Sequence, residues 1–363
     1  MNINPEQIVL QMNATQKLII ISPGFPKDES DSTCLVALQM LVRALQDIPS
    51  VQLEVLAMHY PFEKKTYLWH GTTVHALGGA NRKGLSRIFL FARTWFLLKN
   101  LYKKNRGIPL FSFLATDAAL VAGLFSHQHG LQHVCWMVGQ DTRKENHYMR
   151  FIPRSTRFVA ISSFSKQHAE SNFGIHVEAI LHNALNLQVL PPYENLPRTC
   201  DLLFVGSLIP LKHPEWILRL IGDLKQDGLS PVCDMIGTGP MKSELQKDIE
   251  ALGLKEHIRL WGELSHEAVL QHMFRSRILV HPSEFEGFST VCLEALYAGC
   301  KVVTTFSPFT ENIVDIHTAT DYGAFYAQCR KVLQSTWKPQ SRLIYNTDQT
   351  AQQLVNLLQG SKK

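Results

Sequence analysis

The sequence HPSEFEGFSTVCLEALYAGCKVVTT, residues 281–305, decides the fold. The apolar run at residues 278–280 predicts a short buried strand before it, and residues 291–298 have the apolar spacing of a packed helix. The valines at 302 and 303 predict a following strand. Glu286 therefore lies in the loop before the helix. Glu294 lies inside the helix, eight positions or about two helical turns further on.

Four backbone amides lie at the entrance of that helix: those of Gly287, Phe288, Ser289 and Thr290. Unpaired N–H groups and the positive end of the helix dipole favour an anion such as a diphosphate. Because Glu286 and Glu294 flank this anion site, it suits a ligand with hydroxyls at both ends, such as a nucleotide sugar. Two Glu residues at this spacing also occur on the solvated faces of ordinary amphipathic helices.

The segment SEFEGFSTVCLEALYAGCKVV, residues 283–303, resembles the donor site of retaining glycosyltransferases of family 4, which have the GT-B fold. The resemblance implies that Glu286 contacts the donor sugar during catalysis and that Glu294 bonds the ribose hydroxyls. It is strongest over residues 201–305 and diffuse before residue 157. Alternating strands and helices, repeated twice, agree with an α/β fold of two doubly wound Rossmann-like domains facing a cleft.

The predicted strand at residues 201–206 leads into a loop that resembles the family's diphosphate-binding loop. The family usually has Gly-Arg-x4-Lys here, with both cations holding the diphosphate. Gly206 and Lys212 fit this pattern, whereas Ser207 replaces the Arg and cannot supply charge. A lone Lys beside a turn is otherwise a solvated side chain.

Two further turns in the same half resemble parts of the family's nucleotide site. The GTGP turn at residues 237–240 follows a predicted strand, and the resemblance implies that Gly237 and Gly239 let the backbone approach the nucleotide. Gly-x-Gly by itself is weak evidence. The loop containing Leu264 would border the base. Residues 310–314 are expected to form another turn into a helix.

In the first half, residues 17–22 predict a buried strand, a helix is expected from residue 31 to residue 47, and residues 51–58 predict the next strand. Ligands of doubly wound sheets bind at the carboxyl ends of strands, so Gly24 is a candidate donor contact. The family's paired glycines are absent here, and a simple turn role for Gly24 stays open.

The polar loop at residues 139–148 follows a predicted strand and resembles the family's His-Gly-x-Asp segment. Val138 stands where the His would be, so a role for an imidazole cannot be transferred. Asp141 matches the family's Asp, which implies a catalytic contact with an incoming hydroxyl. Capping of the next turn explains an Asp here equally well.

Residues 82–106 contain eight basic residues and no acid. Ile88, Phe91, Trp95, Leu98 and Tyr102 follow helical spacing. One interpretation is a core-facing helix with a solvated basic face. The other is an interfacial helix that contacts an anionic membrane surface, because Lys and Arg flank Trp and Phe. The central Arg argues against a membrane-spanning helix.

The length of 363 residues predicts two domains. We expect an acceptor-side domain at residues 1–193, a proline-rich linker at 190–197, a nucleotide-sugar-binding domain at 198–345 and a final helix within 346–363 that crosses back to the first domain. Seven Cys without a Cys-x-x-Cys pair predict reduced thiols. The first residues lack a signal-peptide pattern, so a cytoplasmic protein is expected, peripheral at the inner face of the membrane if residues 82–106 contact lipid.

The expected donor is a UDP- or GDP-sugar and the expected acceptor is a glycan or a lipid-linked molecule, with no nucleic-acid partner. The sequence contains no Asp-x-Asp, and its 16 His residues show no metal-ligand spacing, so no cofactor and no metal are expected. Most of the His residues are expected to be surface or core residues. The alternatives are a non-catalytic nucleotide-sugar-binding subunit, which the Val138 and Ser207 replacements favour, and a nucleotide-sugar epimerase of the same fold.

Overall fold

A computed structural model describes residues 16–284, 286, 288–307, 313–336 and 338–359. The chain divides into two compact units. The first unit comprises the chain up to Asn186 together with the residues from Thr347 onward, and the second runs from Leu187 to Asn346.

The first unit is built on a sheet of eight strands within the described residues, in the order β3-β4-β2-β1-β5-β6-β7-β8. Neighbouring strands are parallel except for the β3–β4 hairpin. The strands are β1 Gln16–Gly24, β2 Val51–Tyr60, β3 Lys64–Trp69, β4 Thr72–Leu77, β5 Leu110–Phe113, β6 His133–Met137, β7 Arg157–Ala160 and β8 Val177–Ile180. The hairpin is a feature that the sequence patterns did not predict.

Five helices in the described residues belong to the first unit. They are α1 Val36–Gln46, α2 Leu85–Lys104, α3 Asp117–His129, α4 Ser163–Phe173 and, at the end of the chain, α10 Thr347–Gln359. Apolar side chains of α2 and α3 pack with those of β1 and β2 into one buried cluster. The strands lie in the interior, which explains their continuous apolar runs.

Helix α1 begins five residues after the predicted start at Asp31. The Asp31 carboxylate accepts hydrogen bonds from the amides of Lys27, Thr33 and Cys34. The hydroxyl of Tyr60 donates a further bond to it at 2.7 Å. Asp31 therefore closes a loop instead of capping the helix, because side-chain bonds to nearby amides compete with helical pairing.

The second unit contains a parallel sheet whose order in the described residues is β11-β10-β9-β12-β13-β14. The strands are β9 Cys200–Val205, β10 Cys233–Ile236, β11 Ile258–Gly262, β12 Ser276–His281, β13 Lys301–Thr304 and β14 Ile316–Thr318. The helices are α5 Glu215–Gln226, α6 Lys242–Ala251, α7 His266–Phe274, α8 Thr290–Tyr297 and α9 Tyr322–Gln334. The predicted turn at 310–314 lies outside the described residues except for Ile313 and Val314, which are not helical.

The strand order creates a crevice at one place in the second sheet. The chain moves from β9 outward through β10 and β11, and then returns to place β12 on the other side of β9. Leu202 of β9 lies in register with Cys233 on one side and with Ile278 on the other. The loops that follow β9 and β12 therefore leave the sheet in opposite directions. Such a switch point is where doubly wound sheets bind ligands.

Residues 190–197 do not form the predicted linker between domains. They belong to the second unit, where Leu190 is buried and the Tyr297 hydroxyl donates to the Pro191 carbonyl at 2.8 Å. The ring of Tyr193 lies 6.1 Å from that of Phe274. These apolar side chains find buried partners, so the first unit ends at Asn186 instead of residue 193.

The final helix α10 packs against α1. At its start, the Thr347 hydroxyl donates to the Leu185 carbonyl at 3.2 Å, and the Thr350 hydroxyl donates to the His182 carbonyl at 3.1 Å. All seven cysteines are free thiols in the structure.

Candidate functional site

Backbone contacts join the two loops at the switch point of the second sheet. The amide of Glu284, after β12, donates to the carbonyl of Leu211, after β9, at 2.9 Å. The Ser283 hydroxyl donates to the same carbonyl at 3.3 Å. The Thr305 hydroxyl, after β13, donates to the Ser283 carbonyl at 2.7 Å. Three loops at the carboxyl edge of the sheet are thereby held together.

Lys212 and Glu286 meet where these loops join. The Lys212 ammonium contacts Oε1 of Glu286, and Nε2 of His281 lies 3.0 Å from the same oxygen. Burial lowers the pKa of Lys212 to about 8. Burial also lowers the pKa of His281 to about 3, assisted by the charge of Lys212. The His281 ring is therefore neutral at neutral pH.

Glu294 is buried in the second turn of α8 and has a different histidine partner. Its Oε1 lies 2.7 Å from Nε2 of His266, the first residue of α7. This hydrogen bond raises the pKa of His266, and burial opposes the shift. Glu294 lies in the helix that directly follows the loop of Glu286, eight positions along the chain.

The glycines of the GTGP turn are required by contacts within the chain. Gly237 has a φ of 139°, and a Cβ there would lie 1.9 Å from the carbonyl oxygen of Gly206. A Cβ at Gly239 would lie 2.4 Å from the carbonyl oxygen of Leu208. The Gly237 amide donates to the Gly262 carbonyl at 2.7 Å. These positions let the loops after β9, β10 and β11 touch through their backbones.

Gly206 differs from these two glycines. A Cβ at Gly206 would meet only the ring of Phe204, at an ordinary distance of 3.7 Å. Packing within the described residues therefore does not require a glycine here, and contact of Gly206 with the donor stays a prediction. The next residue, Ser207, is exposed, and its carbonyl accepts from the Ile209 amide at 3.0 Å.

The other predicted donor residues lie on the loops around α7 and α8. Leu264 is half-buried between β11 and α7. Thr290 is the first residue of α8, and Ser289 before it is buried. The ring of Phe288 lies 6.0 Å from that of Tyr345. Gly287 lies outside the described residues.

The two candidates of the first unit have local structural partners. Gly24 ends β1, and its carbonyl accepts a hydrogen bond from the Ser22 hydroxyl. Asp141 is buried, and its Oδ2 accepts from the amide of Val138 at 3.0 Å, which closes the turn Gly139–Thr142. Burial raises the pKa of Asp141 to about 7 against the effect of its backbone bonds. The turn-capping role is thus present, and contact with an acceptor hydroxyl stays a prediction.

Sequence patterns missed the histidines that hold carboxylates. His281 and His266 belong to the site itself, although His residues were expected to be surface or core residues. In the first unit, Nε2 of His59 lies 2.7 Å from Oδ2 of Asp117, and an Arg87 nitrogen lies 3.5 Å from that oxygen. No local spacing signals the His59–Asp117 pair, since these residues are 58 positions apart.

Helix α2 combines features of both sequence interpretations. Its inner side packs into the core through Leu90, Leu98 and Leu101. Its outer side is not the purely basic solvated face of the first interpretation, because four large apolar side chains on it are 64% to 74% exposed: Leu85, Ile88, Phe89 and Phe96. Exposed basic residues accompany them at Arg82, Lys83, Arg93, Lys99 and Lys103. We call these nine residues the α2 surface.

Membrane-spanning helices and metal-binding clusters are both absent from the part of the chain that the structure describes. Every helix in the described residues falls short of the length and apolarity needed to cross a bilayer. The described residues also contain no group of three His, Cys, Asp or Glu side chains arranged to hold a metal ion. The expectation of a metal-free reaction stays a prediction.

The second half of the chain is similar to a family of known proteins. Residues 196–348 match the family model described as "Glycosyl transferases group 1". The chain is 24% identical over 222 residues to an uncharacterized glycosyltransferase of Methanocaldococcus jannaschii, a match of 57% of this chain and 60% of that protein. It is 30% identical over 158 residues to an N-acetylgalactosaminyltransferase of Campylobacter jejuni that is named for a diphospho-undecaprenol substrate, with 42% of each chain covered.

Solved structures resemble the chain over nearly its whole length. The lipopolysaccharide outer core galactosyltransferase WaaB matches with a TM-score of 0.64 at 15% identity, over 94% of this chain and 95% of that chain. Anabaena HepE in complex with UDP and glucose matches with a TM-score of 0.70 at 14% identity, over 95% of this chain and all of that chain. These likenesses show the GT-B fold. The chain spans 60% or less of the length of these two curated relatives.

Proposed function

We propose that the protein is a retaining glycosyltransferase that moves a hexose from a UDP- or GDP-sugar to a hydroxyl of a glycan or lipid-linked acceptor in cell-surface polysaccharide or glycolipid synthesis. The observation that carries the proposal is the contact of Lys212 with Glu286 at the switch point of the second sheet, with Glu294 in the helix that follows, within residues that match this family. Two relatives support the substrate classes, since HepE was solved with UDP-glucose and the Campylobacter enzyme is named for a lipid diphosphate.

In this proposal, each site residue binds a different part of the donor. Glu294 binds the ribose hydroxyls, and Glu286 contacts the transferred sugar. The amides at the start of α8 and the Lys212 ammonium stabilise the negative charge that develops on the departing nucleoside diphosphate. The leaving phosphate takes the proton of the acceptor hydroxyl as the new glycosidic bond forms on the same face. No metal is required in this scheme.

The bound form requires Lys212 to change partners. In the structure, Lys212 neutralises Glu286. A diphosphate offers two negative groups and competes for the ammonium, which leaves the Glu286 carboxylate available to the sugar hydroxyls. The serine at position 207 adds no charge, so Lys212 supplies the cation of this loop.

We further propose that the α2 surface places the protein on anionic membrane. An exposed apolar stripe alone could serve many partners, but this stripe is flanked by basic residues and the segment at residues 82–106 contains no acid. Two contributions bind such helices to a membrane. Apolar side chains enter the interface, and the neighbouring Lys and Arg side chains pair with lipid phosphates. Access to a lipid-linked acceptor would follow from this placement.

The test compares donor binding with transfer. Purified protein is titrated by calorimetry with a panel of UDP- and GDP-sugars, and transfer or hydrolysis is followed by mass spectrometry. Glu294→Ala should weaken nucleotide binding strongly, whereas Glu286→Ala should mainly reduce turnover, because only the latter contacts the reacting sugar. Glu244→Ala, at an exposed position of α6, is the matched control.

The outcome also separates the alternatives. Binding without transfer or hydrolysis with any acceptor would favour a non-catalytic subunit, and epimerised nucleotide sugar would identify an epimerase. Wild-type kinetics for both glutamate variants would remove the site assignment.

A further inference from the structure

We infer that His281 is a positioning residue that holds the Glu286 carboxylate for sugar transfer. The inference rests on the proposed function and adds a residue that the donor-site pattern does not contain. His281 is the last residue of β12, and its side chain is 3% exposed. Its Nε2 lies 3.0 Å from Oε1 of Glu286, five positions along the chain in the following loop.

The structure gives Glu286 two partners of different kinds. Lys212 and His281 both contact Oε1. The Lys212 ammonium is on a long flexible side chain and is drawn away when a diphosphate binds, as proposed above. The His281 ring is fixed by burial at the end of a central strand. It therefore keeps its hydrogen bond and holds the carboxylate when Lys212 leaves.

The protonation state of the His281 ring determines which of its nitrogens donates to Glu286. The ring is neutral, so it carries one N–H. A carboxylate only accepts, so Nε2 must be the protonated nitrogen. This leaves Nδ1 as a bare acceptor, and Nδ1 is buried and has no hydrogen-bond partner among the described residues. The ring also makes a T-shaped contact with Phe306, with ring centroids 5.5 Å apart.

This atomic assignment predicts which substitution preserves the function. The amide nitrogen of Gln can reach the position of Nε2, whereas the amide of the shorter Asn reaches only the position of Nδ1. His281→Gln should therefore keep a donor against Glu286, and His281→Asn should lose it. A residue that only fills the core would show no such preference between the two amides.

The experiment measures kcat, the KM for the donor and the affinity for the nucleoside diphosphate in both variants. His281→Asn should lower kcat by about tenfold or more through misplacement of Glu286, and His281→Gln should stay closer to wild type. The nucleoside diphosphate affinity should change little, because Lys212 and Glu294 remain. His176→Asn, whose side chain is 83% exposed, controls for loss of a histidine.

Equal kcat values for the Asn variant and the wild type would overturn the inference. Equal losses in the Asn and Gln variants, accompanied by weaker nucleotide binding or a lower Tm, would assign His281 a purely structural role and also overturn it.

A spectroscopic measurement tests the geometry without turnover. Nitrogen-15 NMR of the imidazole should show a neutral ring protonated on Nε2 at neutral pH, with a signal that shifts in Glu286→Gln. A ring protonated on Nδ1 or on both nitrogens would contradict the inference even if the enzyme is active. Absence of any nucleotide-sugar binding by wild type would instead refute the proposed function, and the NMR result would still decide whether His281 holds Glu286.

Discussion

Lys212 and Glu286 lie 74 positions apart and form an ion pair at the switch point of the second sheet. One follows β9 and the other follows β12, so the pair exists only because these strands are neighbours. The two groups assigned to the diphosphate and to the sugar thus neutralise each other in the structure. In the proposed mechanism, the donor diphosphate replaces Glu286 as the partner of Lys212.

Lys212→Met should weaken nucleoside diphosphate binding by about tenfold to a hundredfold, the effect of losing a hydrogen bond to a charged group. The affinity for the nucleoside without phosphates should not change, because Lys212 is assigned only to the phosphates. Calorimetry with both ligands measures the difference. Lys225→Met removes an exposed lysine of α5 as the control. Equal losses for nucleoside and nucleoside diphosphate would show that Lys212 acts through the fold instead.

His266 should make the stability of the protein depend on pH. Its hydrogen bond to Glu294 raises the pKa of His266 above the ordinary 6.5. The folded protein then binds this proton more tightly than the unfolded chain does. The pair therefore contributes fully below the ordinary pKa, and its contribution is lost as pH rises through the raised value.

The measurement is the free energy of unfolding in urea at about pH 5.5 and about pH 8.5, on either side of the histidine range. His266→Asn should destabilise the protein more at the lower pH. His176→Asn provides the comparison at an exposed site. A loss that is the same at both pH values would exclude the charged pair as its cause.

Phe89→Ser should reduce binding to vesicles that contain anionic phosphatidylglycerol by about tenfold, which corresponds to the free energy of burying one large apolar side chain. Its Tm should stay near that of wild type, since Phe89 is 69% exposed. Flotation with anionic vesicles and with neutral phosphatidylcholine vesicles gives the comparison. Phe151→Ser, at a 66% exposed site outside α2, should bind like wild type. Binding that is independent of lipid charge would argue against the α2 surface.

Gly237→Ala and Gly206→Ala should affect different properties. The methyl group at 237 collides with the Gly206 carbonyl and demands a strained φ, so we expect a loss of about 2 kcal/mol or more in the free energy of unfolding. The methyl group at 206 meets no close atom, so stability should hold while donor affinity falls. Thermal unfolding and nucleotide titration of both variants check this. Weaker donor binding without destabilisation at 237 would reverse the assignment.

The sequence determined the parts of this protein that depend on residues close together in the chain. The apolar run of β12, the small-residue helix α8 and the valines of β13 form the predicted strand-loop-helix-strand segment. The positions of Glu286 and Glu294 follow from that segment alone. Lys212 could be placed because it follows a predicted strand of the same domain, and the loops after parallel strands emerge at the same edge of the sheet.

Tertiary structure alone decided which groups hold these residues. His281 and His266 were indistinguishable in sequence from core or surface histidines. Likewise, the prolines of residues 190–197 predicted a linker, whereas the structure buries Leu190 and packs Tyr193 against the second unit. The exposed side of α2 was equally hidden, because helical spacing predicts a stripe but not which stripe the core covers. Contacts between distant residues depend on strand order and packing, and the local spacing of residues predicts neither.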